Sequence, residues 1–207
     1  MLAGLDDVSW ENLSHALGKA ENIPGLLRDL RSEHEGRRAH AHEDLFQTIW
    51  HQGTVYEATS YAVPFLLELL SDPVLPDRTT VTLLFASIAA GTGYLRVHAA
   101  RPELEAQWRK ILAKRGTTFE AELDREARIV AAVREQSARG IHLLLPHIDS
   151  DVADLRIAVA EALPLYPTWA EQSTAALRRA LDREMDPEVR SVLETSFRSL
   201  SAKRPDS

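Results

Sequence analysis

The chain has 207 residues, with 24 Lys and Arg against 31 Asp and Glu, a net charge of −7, 44% hydrophobic residues and no cysteine. That length allows one domain or two small ones, and the missing thiols exclude a disulfide framework, thiolate-held zinc, a cysteine nucleophile and a thioether-linked cofactor. A pI near 5.6 leaves no global pull toward nucleic acid or anionic lipid.

The longest apolar runs, such as Val63 to Leu70, fall short of the roughly 20 residues of a membrane span. Met1 leads into Asp6 and Asp7 rather than into a basic and then apolar leader, so no membrane association and a cytoplasmic protein are expected. Val8 to Leu17, with Trp10, Leu13 and Leu17 at helical spacing, predicts a short N-terminal helix that covers the first helical pair. That pair has Leu26, Leu27 and Leu30 on the inner face of its first helix and Leu45, Phe46 and Ile49 on its second. A second pair offers Leu66, Leu67 and Leu70, then Val81, Leu84, Phe85 and Ile88. A third offers Leu144, Leu145 and Ile148, then Val159, Ala162 and Leu163, and a fourth Leu177 and Leu181, then Val192, Leu193, Phe197 and Leu200. The end from Leu200 to Ser207 reads as a polar, frayed terminus.

These pairs are repeats of one unit. Val55 to Leu67 lies on Val133 to Leu145 without a gap, and Ile23 to Leu27 lies on Val63 to Leu67, each register aligning helix, turn and helix. Arg38, Arg78, Arg156 and Arg190 each follow by six residues a polar or acidic residue, namely Ser32, Asp72, Ser150 and Glu184. Four Ser/Thr-x-x-Glu patterns predict capping boxes: Ser32 with Glu35, Thr54 with Glu57, Thr117 with Glu120, and Thr168 with Glu171. Gly53 and Gly91 are expected at helix ends. No segment of five or more residues alternates as a strand, so the fold class is all α. Residues from about 92 to 116 break the period and read as a central insertion in a single domain, 1–207, with its own helix from about Pro102 to Lys114.

Chemistry-bearing clusters are weak. His34, His40, His42 and His51 lie close in sequence, but His40 and His42 point about 200° apart on a helix, and there is no His-Glu-x-x-His, so no metal ligands are assigned. His142 and His147 are read the same way. There is no Gly-x-Ser-x-Gly and no strand to carry it, so no catalytic residue is assigned. Gly91-Thr-Gly93 lacks the lysine and strand of a phosphate loop and reads as a helix cap and turn, and no cofactor is expected. Arg109, Lys110, Lys114, Arg115, Arg125, Arg128, Arg134 and Arg139 could hold phosphate, but Glu103, Glu105, Glu120, Glu122, Asp124, Glu126 and Glu135 are interleaved with them, the composition of a solvated, ion-paired face. Trp10, Trp50 and Trp169 are expected to seal the core, whereas Trp108 stands on the insertion helix.

Asp186-Pro-Glu-Val-Arg190, and Asp72-Pro-Val-Leu-Pro-Asp-Arg78 as a stretched version, in helical hairpins with proline near the first helix, resemble the HEAT repeat, an armadillo-type α-solenoid unit. The stretch from His51 to Leu69 is also similar to uncharacterised bacterial HEAT-repeat domain proteins. The resemblance implies a right-handed α-solenoid of about four HEAT-like hairpins, an N-terminal capping helix and the central insertion, with Arg38, Asp72, Arg78, Arg156, Glu184 and Arg190 forming an inter-repeat ladder. With no catalytic constellation in the sequence, the expectation leans toward a non-enzymatic scaffold that grips a protein or peptide on the concave wall of such a solenoid, a toxin-neutralising immunity protein being one form by analogy, and the polar C-terminal end leans toward a monomer. The predicted contact residues are Glu43, Gln47 and His51 on a second helix, and Tyr94, Arg96, His98 and Trp108 on the insertion. A nucleic-acid protein similar to the HEAT-like alkylpurine DNA glycosylases is the alternative, which the net charge of −7 opposes. A HEAT-like bilin lyase subunit has no residue in its favour.

Overall fold

The computed structural model describes residues 2–202. It is 72% helical with eleven α-helices, and the expected polar terminus lies outside the described residues beyond Ala202. The N-terminal segment is not the expected helix. Two 3-10 turns, Leu5–Asp7 and Trp10–Asn12, lead into a hairpin of β1 (Ser14–His15) and β2 (Gly18–Lys19). Positive φ at Gly4 and Gly18 turns the chain away from a helical path, and its backbone finds other partners: Ala20 N–H bonds Leu13 O at 3.1 Å, and Ala16 N–H bonds Thr48 O at 3.1 Å. Trp10 is buried, its Nε1 donating to Leu5 O at 2.8 Å, while Leu17, expected beside it, is 71% exposed.

The first helical pair is α1 (Ile23–Asp29) and α2 (Glu35–Thr48). A tight hairpin of β3 (Trp50–His51) and β4 (Thr54–Val55) comes next, with Gln52 and Gly53 both at positive φ, so Gly53 closes a turn rather than a helix. The second pair is α3 (Glu57–Leu70) and α4 (Arg78–Ala90), the latter ending at Gly91. Gly91 lies so close to Val55 that a Cβ there would come within 2.4 Å of its side chain. Beyond it lie α5 (Tyr94–His98) and α6 (Pro102–Lys114), then the long α7 (Phe119–Ala138). The remaining elements are α8 (Ile141–Leu144), a 3-10 stretch Leu145–Asp149, α9 (Ala153–Ala162), two 3-10 turns, α10 (Ala170–Leu181) and α11 (Pro187–Ala202).

Within pairs, α1 packs on α2, α3 on α4, the 3-10 stretch on α9, and α10 on α11. Between pairs, α2, α4, α9 and α11 touch in succession, and α1 touches α3. One continuous core runs from Leu5 to Leu200 and includes Leu26, Leu27, Leu45, Leu66, Leu84, Phe85, Leu144, Val159, Leu177 and Leu193. The third pair departs from the repeat because its first helix is broken. Gly140 stands where a Cβ would lie 2.2 Å from Leu67 and 2.9 Å from Phe85, so the chain ends α7 there and restarts as α8. Pro146 then sits in the 3-10 stretch.

The six-residue spacing has a local cause common to all four turns. The side chains of Ser32, Asp72, Ser150 and Glu184 accept the backbone N–H two residues on, at 3.2, 3.1, 3.2 and 2.9 Å. Such bonds hold the turn open between helices. The arginine six residues later returns to the carbonyl of the same residue: Arg38 to Ser32 O at 3.0 Å, Arg156 to Ser150 O at 2.7 Å, Arg190 to Glu184 O at 3.3 Å, and Arg78 to Asp72 O. Serine therefore serves as well as an acid. Between units, Arg156 pairs with Glu184 at 2.7 Å, but Arg38 pairs with Asp77 at 2.6 Å and Asp72 takes Arg31 at 2.8 Å instead of a repeat arginine.

The predicted capping boxes do not form as read. Thr59 accepts from Tyr56 N at 2.9 Å at the start of α3, and Thr118 rather than Thr117 caps α7 through Ala121 N at 3.1 Å. Ser32 and Thr168 precede α2 and α10 without capping them. Among the described residues no helix is long and apolar enough to cross a membrane.

Candidate binding cleft between α5, α6 and α7

Residues Tyr94 to Lys114 build a small annex. Leu95 of α5, Ala99 just after it, Leu112 of α6 and Phe119 of α7 form a separate buried cluster, with Tyr94, Trp108 and Leu123 packed on it. The annex is tied to the main body where Thr92 N–H bonds Gly53 O and Val55 N–H bonds Thr92 O, both at 3.0 Å. Between the annex, β4 and α7 lies a cleft of about 300 Å³. Tyr56, Tyr94 and Trp108 line it, with the Tyr94 and Trp108 rings edge to face at 5.4 Å. Tyr94 also lies 4.1 Å from the His98 ring.

Charged groups on the α7 side of the cleft hold one another. Arg125 bridges Glu57 at 2.9 Å and Glu122 at 2.6 Å, and Ser14 Oγ donates to the second oxygen of Glu57 at 2.7 Å. The Glu122 hydrogen bond, with the nearby carboxylates, holds the Arg125 guanidinium above its ordinary pKa. Tyr56 donates to or accepts from Thr54 Oγ1 at 2.7 Å, and burial raises its phenol pKa.

Glu126 is the residue that sequence reading misses. Its place among the interleaved acids of α7 reads as solvated, yet it is buried and its carboxylate accepts only the Leu95 N–H, at 2.9 and 3.2 Å. Burial pushes its pKa up, against the pull of that N–H. The approach is possible because residue 93 is glycine; a Cβ there would stand 2.6 Å from Oε2. The pattern carries the signal, since Leu123, Glu126, Ala127 and Val130 share a face of α7. Glu126 lines the cleft on one side and a second cavity of about 720 Å³ on the other.

Comparison with protein-family models and with curated proteins returns no match.

Of the predicted contact residues, the structure brings Tyr94, His98 and Trp108 together, and His98 Nε2 is buried without a hydrogen-bond partner. Arg96, on the same short helix, faces the second cavity instead. Glu43 and Gln47 are exposed on α2, and His51 is half-buried in β3. Arg109 is engaged by Glu105 at 2.7 Å and Glu120 at 2.6 Å and lies 4.7 Å over the Phe119 ring, so with Arg125 it belongs to ion pairs rather than to an open basic stripe. The histidines play separate local parts: His34 precedes α2, His40 reaches Asp44 at 3.4 Å, and His42 is buried with neither ring nitrogen hydrogen-bonded, its Nε2 3.9 Å from Asp77. Trp50 packs edge-on against Phe46, and Trp169 Nε1 donates to Ala138 O at 3.2 Å.

Proposed function

We propose that this chain is a non-enzymatic protein-binding module, a right-handed α-solenoid of HEAT-like hairpins in which the annex supplies the gripping site. The observation that carries the reading is the cleft walled by Tyr56, Tyr94 and Trp108. Aromatic side chains around a pocket the size of one or two side chains, rimmed by charge, have the composition of an interface hot spot. Arg125, Glu57 and Glu122 beside them are already paired with one another, so these three groups can orient an incoming chain without exposing a lone charge. The rows of touching hairpins and the recurring polar-to-arginine turns support the HEAT assignment, and an immunity protein that neutralises a toxin is one partner relation that such a cleft suits. The nucleic-acid alternative gains little, because Arg109 and Arg125 of the basic stretch are occupied by carboxylates.

Affinity capture from a lysate of the source cells, with and without nuclease, tests this reading. Recovery of one stoichiometric protein that resists nuclease is expected. Recovery of nucleic acid, or duplex binding that weakens steeply with salt, would put the alternative in its place.

A further inference from the structure

The second cavity, between α4, α5 and α7, differs in kind from the aromatic cleft. Its volume of about 720 Å³ lies within the range of small-molecule sites. One face of α7 supplies Leu123, Ala127, Val130 and Ala131, and Leu165 closes the far side, so the lining is chiefly apolar. Into this surface projects Arg134, on the same face of α7.

Arg134 is unusual among the arginines. Arg38, Arg78 and Arg156 are also partly buried, and each is held by carbonyl or carboxylate oxygens. Among the described residues Arg134 is the one partly buried arginine with no hydrogen bond or ion pair, and its Nε is wholly shielded from solvent. The terminal guanidinium nitrogens, which unlike Nε are not shielded, are the donors left to meet an acceptor in the cavity, and an anion there would offset the cost of partly burying the cation. Glu126 does not supply one, since it stands two turns away along α7, about 12 Å, with its carboxylate on Leu95 N–H. Arg96, exposed at the rim and likewise unpaired, adds positive field.

We infer that this cavity binds a small amphipathic acid, with its anionic head on Arg134 and its apolar body along Leu123, Ala127, Val130 and Ala131. The head is a carboxylate or a phosphate ester, which share the acceptor geometry that a guanidinium recognises. Burial raises the Glu126 pKa, which disfavours the one negative charge on the lining.

Isothermal calorimetry with decanoate, decyl phosphate, decanol and acetate as probes tests the site. Decanoate or decyl phosphate binds, the tighter of the two identifying the head, and decanol and acetate bind at least about tenfold more weakly. Arg134→Met weakens the acid by about tenfold while leaving decanol unchanged, and Ala131→Trp, which sets an indole across the apolar wall of the cavity, removes binding of both. Thermal melts by circular dichroism establish that each variant is folded. Binding of none of the probes, equal binding of decanol and the acids, or an Ala131→Trp protein that binds like the native chain overturns the inference.

Discussion

Glu126 shows how one side chain ties stability to pH. Its pKa is ordinary in the unfolded chain and raised in the fold by burial. Between those two values the folded protein holds a proton that the unfolded chain has released, so stability falls as pH rises through that window and is greatest on its acid side. Glu126→Gln keeps an acceptor for Leu95 N–H and removes the ionisation. The variant is expected to melt higher than the native chain at neutral pH, with the difference vanishing on acidification; a lower melting temperature at neutral pH contradicts a burial penalty on the charge. His42 works in the opposite direction. Burial, the largest influence, lowers its pKa despite Asp77 nearby, so the folded state resists a proton that the unfolded chain accepts, and stability is lost as pH falls below the ordinary histidine value. In His42→Leu melts, the acid-side loss should be smaller than in the native protein.

At the scale of elements, the turns and the broken third pair lead to separate predictions. Arg156 and Glu184 are 14% and 8% exposed, and Glu184 also accepts from Met185 and Asp186 N–H at the start of α11. Glu184→Ala strips all of these bonds and leaves Arg156 half-paired, a loss of about 2 kcal/mol in chemical denaturation. Gly140→Ala drives a methyl group into Leu67 and Phe85, and overpacking of this kind costs about 1–3 kcal/mol. An unchanged denaturation midpoint would show that the break after α7 is not set by that close approach. The annex rests on a small cluster of Leu95, Ala99, Leu112 and Phe119 with Tyr94, Trp108 and Leu123 packed on it, so amides of α5 and α6 are expected to exchange hydrogen faster than those of α3 and α4. These elements also mark what was legible. Inner-face leucines and the Pro102–Lys114 helix could be read because burial imposes helical spacing. The N-terminal hairpin could not, because Trp10, Leu13 and Leu17 satisfy the same spacing while Gly4 and Gly18 redirect the backbone. The break at Gly140 depends on Leu67 and Phe85, far away in sequence.

Over the whole molecule, repetition made the helical pairs visible, and departure from repetition located the candidate site. The annex could be singled out as an interruption, and Tyr94, His98 and Trp108 with it. What joins them to Tyr56, Glu57, Glu122 and Arg125 is tertiary: β4, the start of α3 and the first half of α7 meet there only when the pairs have packed. Glu43, Gln47 and His51 carried the same polarity signal in the sequence but lie on α2 and β3 rather than on the lining of the cleft. The two surfaces therefore make opposite forecasts. The decisive measurement is quantitative capture of the partner by two variants in parallel, Tyr94→Ala/Trp108→Ala and Glu43→Lys/Gln47→Lys, with melting curves to establish that both are folded. The aromatic pair is expected to lose the partner and the α2 pair to retain it. Retention by the aromatic pair, with loss from the α2 pair, would contradict the placement of the binding site in the cleft.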